Sequence, residues 1–147
     1  LYSKKNPPPN TPEKKNELKS IVTKTKMKID FDEKDKIITI ETPGGQKVTL
    51  DDKAKSIKLE DQNNNIVSLS DKGVSINSGK DILLSAKGKV TISAVGNATL
   101  DSKADVSITG NNVNSKAKIA LKAEGAASAE LKASGNVIVK GSMVNIN

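Results

Sequence analysis

Several residue types that support catalysis or a compact core are missing from this sequence of 147 residues. It contains no Cys and no His, which excludes disulfides, thiolate metal sites and histidine-based catalysis. It has no Trp and only two aromatic residues, Tyr2 and Phe31, whereas compact cores draw heavily on aromatic side chains. No run approaches the roughly 18–20 apolar residues of a membrane-spanning helix. These absences argue against both an enzyme and an ordinary globular domain.

The positive charge is concentrated at the start of the chain. All 24 basic residues are Lys, the net charge is +7, and residues 1–28 alone hold eight Lys against two Glu. Residues 1–20 also contain four of the five prolines, including Pro7–Pro9, and show no apolar periodicity. Such a segment is extended and hydrated, so we interpret it as a linker. Because the sequence opens with Leu1, we expect it to be part of a longer protein.

Alternating apolar residues begin at Ile21 and predict a series of short strands. Each strand has a period of two, and clusters of Asp, Asn, Gly and Pro separate one strand from the next. The predicted strands lie at 21–23, 27–31, 36–41, 47–50, 56–59 and 66–69.

From residue 74 the pattern tightens into an eight-residue repeat. Apolar-x-apolar triplets begin at residues 74, 82, 90, 98 and 106, with turn-forming residues between them. The two apolar side chains of a triplet share one face of a strand. After residue 108 the steps become irregular, with triplets at 113, 119 and 129, until Val137-Ile138-Val139 and Val144-Asn145-Ile146. The whole chain predicts about fifteen strands and no helix, which is typical of a solenoid.

A strand with only two inward side chains buries little and exposes its edges. Such strands are covered either when one chain coils on itself or when three chains wind together. The eight-residue repeat does not distinguish these arrangements, because three octads make one turn in both. The inward residues are only Val, Ile, Leu and Ala, and so slender an interior favours three chains converging on a threefold axis. The predicted trimer core consists of Val74, Ile76, Ile82, Leu84, Val90, Ile92, Leu100, Val106, Ile108, Val137 and Val139.

The polar residues point to no chemistry. The lysines of the octads are interpreted as a solvated outer face, because without Arg or interleaved aromatics nothing reads or stacks on bases. Asp32, Asp51, Asp52 and Asp61 lie in predicted turns, where turn capping is their expected role. We therefore predict no catalytic residue, no metal site, no cofactor and no nucleic-acid partner.

The segment KIITIETPGGQKVTLDDKAKSIKLEDQNNNIVSLS, followed by octads, resembles the C-terminal spike of the VgrG family and the needle of contractile phage tails. The combination of TPGG, LDD and a DxNxN turn at set offsets carries the resemblance. It implies an all-β, homotrimeric, intertwined triple-stranded β-helix, or β-prism. Residues 36–147 would form this spike, and residues 1–35 a linker, with the first strands, that follows a missing OB-fold domain.

The resemblance also implies a function and partners. The spike would perforate a target envelope at the tip of a contractile injection system, with no enzymatic activity. Its partners would be a PAAR-type tip protein, effector toxins, an inner-tube protein reached through the missing upstream domains and, transiently, the target membrane. It would reside in the bacterial cytoplasm when assembled and be secreted or injected on contraction. The expected cap-docking tip comprises Met143, Val144, Asn145, Ile146 and Asn147.

Two other functions were weighed. A trimeric phage fibre or surface adhesin is the alternative, and it should show exposed aromatics or an inserted domain along the shaft. A β-helical acyltransferase needs a hexapeptide period and usually a catalytic His, neither of which is present.

Overall fold

Seven five-residue strands, each joined to the next by a short turn, form one antiparallel sheet in the first half of the chain. The computed structural model describes residue 7 and residues 14–146, which divide into two units, Leu1–Thr91 and Ile92–Asn147. The strands pair in chain order. They are β1 (Leu18–Val22), β2 (Lys28–Asp32), β3 (Ile37–Glu41), β4 (Lys47–Asp51), β5 (Ser56–Glu60), β6 (Ile66–Ser70) and β7 (Gly73–Asn77).

The register places two apolar residues of every strand from β2 to β7 on the same face, whereas Ile37 and Ile66 lie on the opposite face. Leu50 of β4, for example, pairs with Ile38 of β3 on one side and with Ile57 of β5 on the other. Because side chains alternate along a strand, Thr49 and its partners Thr39 and Lys58 lie on the opposite face. The sheet therefore has one apolar and one polar face.

Equivalent turns repeat every nineteen residues, although the strands from β1 to β6 follow one another at alternating steps of ten and nine residues. The five-residue turns begin at Thr23, Thr42 and Asp61, nineteen residues apart, and the strands before the alternate turns end at Asp32, Asp51 and Ser70, again nineteen apart. In each five-residue turn the last backbone N–H donates to the first side chain: Met27 to Thr23 Oγ1 at 3.1 Å, Gln46 to Thr42 Oγ1 at 3.3 Å and Asn65 to Asp61 Oδ1 at 2.9 Å. Two hairpins thus form one 19-residue unit.

The fourth residue of each five-residue turn has a positive φ. It is 65° at Lys26, 87° at Gly45 and 63° at Asn64. Only glycine adopts this conformation without steric cost, and Asn tolerates it better than most residues. Sequence alone shows the turn signal at Gly45 and Asn64 but not at Lys26.

The second half of the chain forms no sheet by itself. Within the described residues 78–146 there is no strand, no helix and no hydrogen bond between backbone groups. Bends interrupt the chain at 79–80, 87–88, 95–96 and 103–104, and then at 111, 118–119, 126–127, 134–135 and 142–143. The eight-residue period is therefore present as bends, without paired strands between them.

The all-β prediction is confirmed, and the seven strands lie within a few residues of their predicted positions. The predicted later strands are not paired in this single chain, because a strand needs a neighbour and the octads find none within their own chain. The expectation that the repeat loosens after residue 108 is wrong, because the bends continue at nearly constant spacing. Among the described residues no helix is long and apolar enough to cross a membrane.

Replacing Gly45 by Ala tests the turn geometry. The φ of 87° is unfavourable for a residue with a Cβ, so we expect Gly45→Ala to destabilise each chain by about 1–2 kcal/mol. Thermal unfolding at fixed protein concentration measures the effect. Gly88→Ala is the matched control, because a Cβ there meets no atom within 4 Å and Ala104 and Ala127 already occupy equivalent bend positions. Equal melting of the two variants would contradict the prediction.

Candidate functional site and trimer interface

A continuous apolar stripe crosses the sheet from β1 to β7. Every strand from β2 onward contributes two side chains, and cross-strand pairing aligns them into two parallel columns. We define the apolar stripe as Ile21, Ile29, Phe31, Ile38, Ile40, Val48, Leu50, Ile57, Leu59, Val67, Leu69, Val74 and Ile76.

The described residues of the first unit leave this stripe uncovered. No hydrophobic side chain among the described residues is buried, and even central members such as Leu50 and Leu69 are about 40% exposed, at 38% and 40%. Fully burying one Val, Leu or Ile side chain stabilises a protein by about 1.5–3 kcal/mol. A domain's net stability is only about 5–15 kcal/mol. Because these side chains are already partly buried, covering what remains exposed of the whole stripe would contribute about as much as the net stability of an ordinary domain.

A groove lies in the apolar stripe near the row of turns that follows β2 and β4. It has a volume of about 570 Å³, its apolar wall includes Ile38, Leu50, Ile57 and Leu69, and its rim includes Lys36, Asp52 and Lys55. A second groove is lined in part by Leu59, Val67 and Ile76. Both are shaped to receive apolar side chains, and neither gathers a set of groups that could perform a reaction.

The predicted trimer-core residues occupy the first and third positions of their triplets, and all are exposed in the single chain. Val90, Val106 and Val137, in the first position, are about half exposed, at 48%, 51% and 48%. Val95 and Ile119, which lie in bends, are fully exposed. The structure brings Val74 and Ile76 onto the apolar stripe and leaves the octad members without a partner inside the chain. Their role in a trimer core stays a prediction.

Three further residues fit this series although the predicted core leaves them out. Because the bend at 118–119 contains Ile119, the triplet there begins at Leu121, two residues later than predicted. With this correction the triplets begin at 113, 121, 129 and 137, again eight residues apart. Val113, Leu121 and Leu131 then occupy the same positions as the predicted core residues, and each is exposed.

A column of small residues carries the signal that would have found them. The residue immediately before each bend is Gly, Ala or Ser in all nine cases. These residues are Ser78, Ala86, Ala94, Ser102, Gly110, Ala117, Gly125, Ala133 and Gly141. Glycine itself does not recur before every bend, but a small residue does.

Two of the steps between successive triplets are seven residues long instead of eight, and each of them contains a glycine. They run from 106 to 113 and from 137 to 144, and the small residues in them are Gly110 and Gly141. A Cβ at Gly110 would lie 3.4 Å from Asn112 O, and one at Gly141 would lie 3.0 Å from Met143 O. A larger residue would crowd the backbone at Gly141, whereas the distance at Gly110 is that of an ordinary contact. Gly125, in a step of eight residues, has a closer backbone neighbour still, so the close approach is not confined to the short steps.

The expected docking tip is described except for Asn147, which lies outside the described residues. Met143 lies in the last bend, and Val144 and Ile146 take the first and third positions of a triplet. All three are exposed, Ile146 almost completely. These side chains continue the apolar series and are uncovered in the single chain; the docking role of this segment stays a prediction.

Charged groups on the polar face and turns are paired and solvated. Lys58 contacts Glu60 at 2.7 Å and Lys19 contacts Glu33 at 2.9 Å. Ion pairs this exposed contribute about 0–1 kcal/mol, so they keep the face hydrated more than they stabilise it. No group of three or more acidic side chains within the described residues could hold a metal ion.

The turn aspartates act as caps. Asp32 Oδ1 accepts hydrogen bonds from the backbone of Lys34 and Asp35, and Asp51 Oδ1 accepts one from Ala54 at 2.7 Å. The predicted capping role of these two residues and of Asp61 is confirmed. The donors of Asn65, backbone first and then side chain, together with those of Asn63, lower the pKa of the Asp61 carboxyl.

We expect the Asp61 turn to make stability depend on pH. Since folding lowers the pKa of this carboxyl, the stabilisation is present above its unfolded value of about 4 and is lost as the pH falls through the folded pKa. Asp61→Asn should therefore be less stable than the wild type at pH 7, and the difference should shrink below about pH 4. Chemical unfolding followed by circular dichroism at several pH values measures it. A difference that does not change with pH would contradict the assignment.

Introducing one carboxylate on either face of β4 tests the apolar stripe. We expect the wild-type chain to associate in solution and Leu50→Glu to remain monomeric, because association would bury an unpaired charge. Thr49→Glu is the matched control, since the same charge lies on the polar face beside Lys58 and should leave association intact. Light scattering on a sizing column measures the mass. If Thr49→Glu disrupts association while Leu50→Glu does not, the polar face is the interface instead.

Comparison with known families agrees with these features. The family model of the phage baseplate V C-terminal trimerisation domain matches residues 37–115, just over half of the chain. The match spans β3 to β7 and the first octads, so it covers most of the apolar stripe and the first part of the repeat. No curated protein matches the chain. The chain belongs to the family of phage baseplate V C-terminal trimerisation domains, to which VgrG-type spikes belong, and its role is structural and not enzymatic.

Proposed function

We propose that three copies of this chain form a membrane-puncturing spike at the tip of a contractile injection system of the type VI kind. The observation that carries the proposal is the lack of backbone hydrogen bonds within the described residues 78–146, combined with apolar triplets at octad spacing. A chain of this kind is completed only by other strands, and its family is one of trimerisation domains.

In the proposed assembly the three chains intertwine as a triple-stranded β-helix. Each octad strand pairs with strands of the two other copies, and the first and third residues of every triplet meet on the threefold axis. The small residue before each bend fits this arrangement, because three chains turn the same corner at the same level. Residues 36–147 constitute the spike, and residues 1–35 connect it to an upstream OB-fold domain. The proposed linker includes the first strands, since β1 and β2 belong to the same sheet as the strands that follow.

Rigidity is the mechanism of such a spike. Backbone ladders between chains make local unfolding of one chain costly, since opening one strand breaks hydrogen bonds to two neighbours. The absence of aromatic residues after Phe31 gives the outer face nothing with which to recognise a glycan, and this disfavours a receptor-binding fibre.

The proposed partners follow from the position of the spike. The C-terminal end, from Met143 onward, docks a PAAR-type cap, and effector toxins are carried with it. The upstream domains connect the spike to the inner tube. The assembly resides in the bacterial cytoplasm until contraction drives it out of the cell and into a target membrane.

The docking end is tested with a purified PAAR-repeat protein and the wild-type trimer. We expect Ile146→Glu to weaken cap binding at least tenfold, because it places a charge in the apolar end layer, while the mass remains that of three 15.5 kDa chains. Thr99→Glu, in the outward position of an upstream triplet, should bind the cap as the wild type does. Biolayer interferometry measures the affinities. Equal binding by both variants, or no binding by the wild type, would contradict the proposed docking.

A further inference from the structure

The two halves of the chain differ in what one copy can complete without the others. In the sheet every strand pairs with its sequence neighbour, and side chains cap the turns that connect them. The backbone pairing also extends one residue beyond the strand ends, since Glu33 N donates to Glu17 O at 2.7 Å and Asp52 N donates to Lys36 O at 3.2 Å. In contrast, the described residues 78–146 contain no such backbone pairing.

This difference has a kinetic consequence. Hairpins joined by turns of a few residues close within microseconds, because little loop entropy is lost. Strands that pair only with other chains must wait for a three-body encounter, whose rate depends on concentration. The sheet is therefore the part of each chain that is organised when chains meet, and the apolar stripe gives it a face with which to associate.

The octads alone discriminate only weakly against a shift in register, because an eight-residue shift is opposed only at the two seven-residue steps, from 106 to 113 and from 137 to 144. Moving one chain by eight residues brings the triplets at 74, 82, 90 and 98 onto those at 82, 90, 98 and 106, so the apolar pattern still matches. The sheet repeats with a period of nineteen residues. An eight-residue shift there would place the turn that begins at Thr42 against Leu50 of another copy. Only the unshifted arrangement satisfies both periods along this chain.

We infer that the sheet Leu18–Asn77 is a register clamp: it folds and associates first, and thereby sets the alignment in which the three octad regions then pair toward the C-terminus. The inference rests on the proposed threefold assembly and adds the order and direction of its formation. The octad region in turn supplies the rigid shaft but not the choice of register.

Refolding of the whole chain from denaturant, with pulsed hydrogen exchange read by mass spectrometry, tests the order. We expect amides of β2 to β6 to become protected at least tenfold sooner than amides of residues 82–139. A tenfold dilution should delay octad protection at least tenfold. Simultaneous protection of the two halves, or protection of the octads first, would overturn the inference.

Two matched variants of the whole chain separate the roles of the halves. Leu59→Glu, in the apolar stripe, should abolish the trimer and remove protection from both halves. Ile108→Glu, in the octads, should leave the trimer mass and the protection of the sheet unchanged and lose protection only in the octads. If Ile108→Glu dissociates the trimer while Leu59→Glu does not, the octads hold the chains together and the clamp is wrong.

The same samples distinguish failure of the clamp from failure of the spike. A wild-type chain that is monomeric at equilibrium would overturn the proposed spike and with it the inference. A wild-type trimer whose octads become protected first would overturn the inference alone.

Discussion

Unpaired backbone is the constraint on which the rest of this molecule depends. Peptide N–H and C=O groups require partners when they leave water, and within the described residues 78–146 none pairs with another backbone group of its own chain. The eight-residue triplets, the small residue at each corner and the lack of large side chains all suit a chain that is completed by its copies. The same constraint explains why a sequence rich in Val and Ile contains no buried hydrophobic side chain among its described residues.

Much of the first half could be predicted because alternation is a strong signal. Each predicted strand from Met27 to Leu69 lies within about a residue of a strand in the structure. The 19-residue unit could not be seen, since nine- and ten-residue steps alternate and equivalent turn positions carry different residues. Lys26, Gly45 and Asn64 share one backbone conformation, but only the last two look like turn residues. When equivalent turns share one backbone geometry but use different residues, the repeat cannot be recognised from the sequence alone.

The sequence predicts the candidate interface as far as Ile108 and again at Val137 and Val139, where the first and third side chains of the triplet are both large. Between them the third positions fall to Ser115 and Ala123, and a single missing residue after Gly110 shifts the phase. Ile119, an apolar residue in a bend, then looked like the start of a triplet. The bends in the structure show where the triplet begins, because they mark the turns of the backbone independently of the side chains found there.

Three lysines at the ends of the sheet have a consequence for the chain before it assembles. Lys26, Lys36 and Lys55 have φ values of 65°, 56° and 49°, in a conformation that costs a non-glycine residue about 1–2 kcal/mol. Asn or Gly would relieve this strain, yet neither would carry a charge. A newly made chain with an open apolar stripe is prone to irregular aggregation, and hydrated charges at the strand ends oppose it because they are costly to bury. These lysines thus lower the stability of the folded chain but help to keep it soluble until three chains meet.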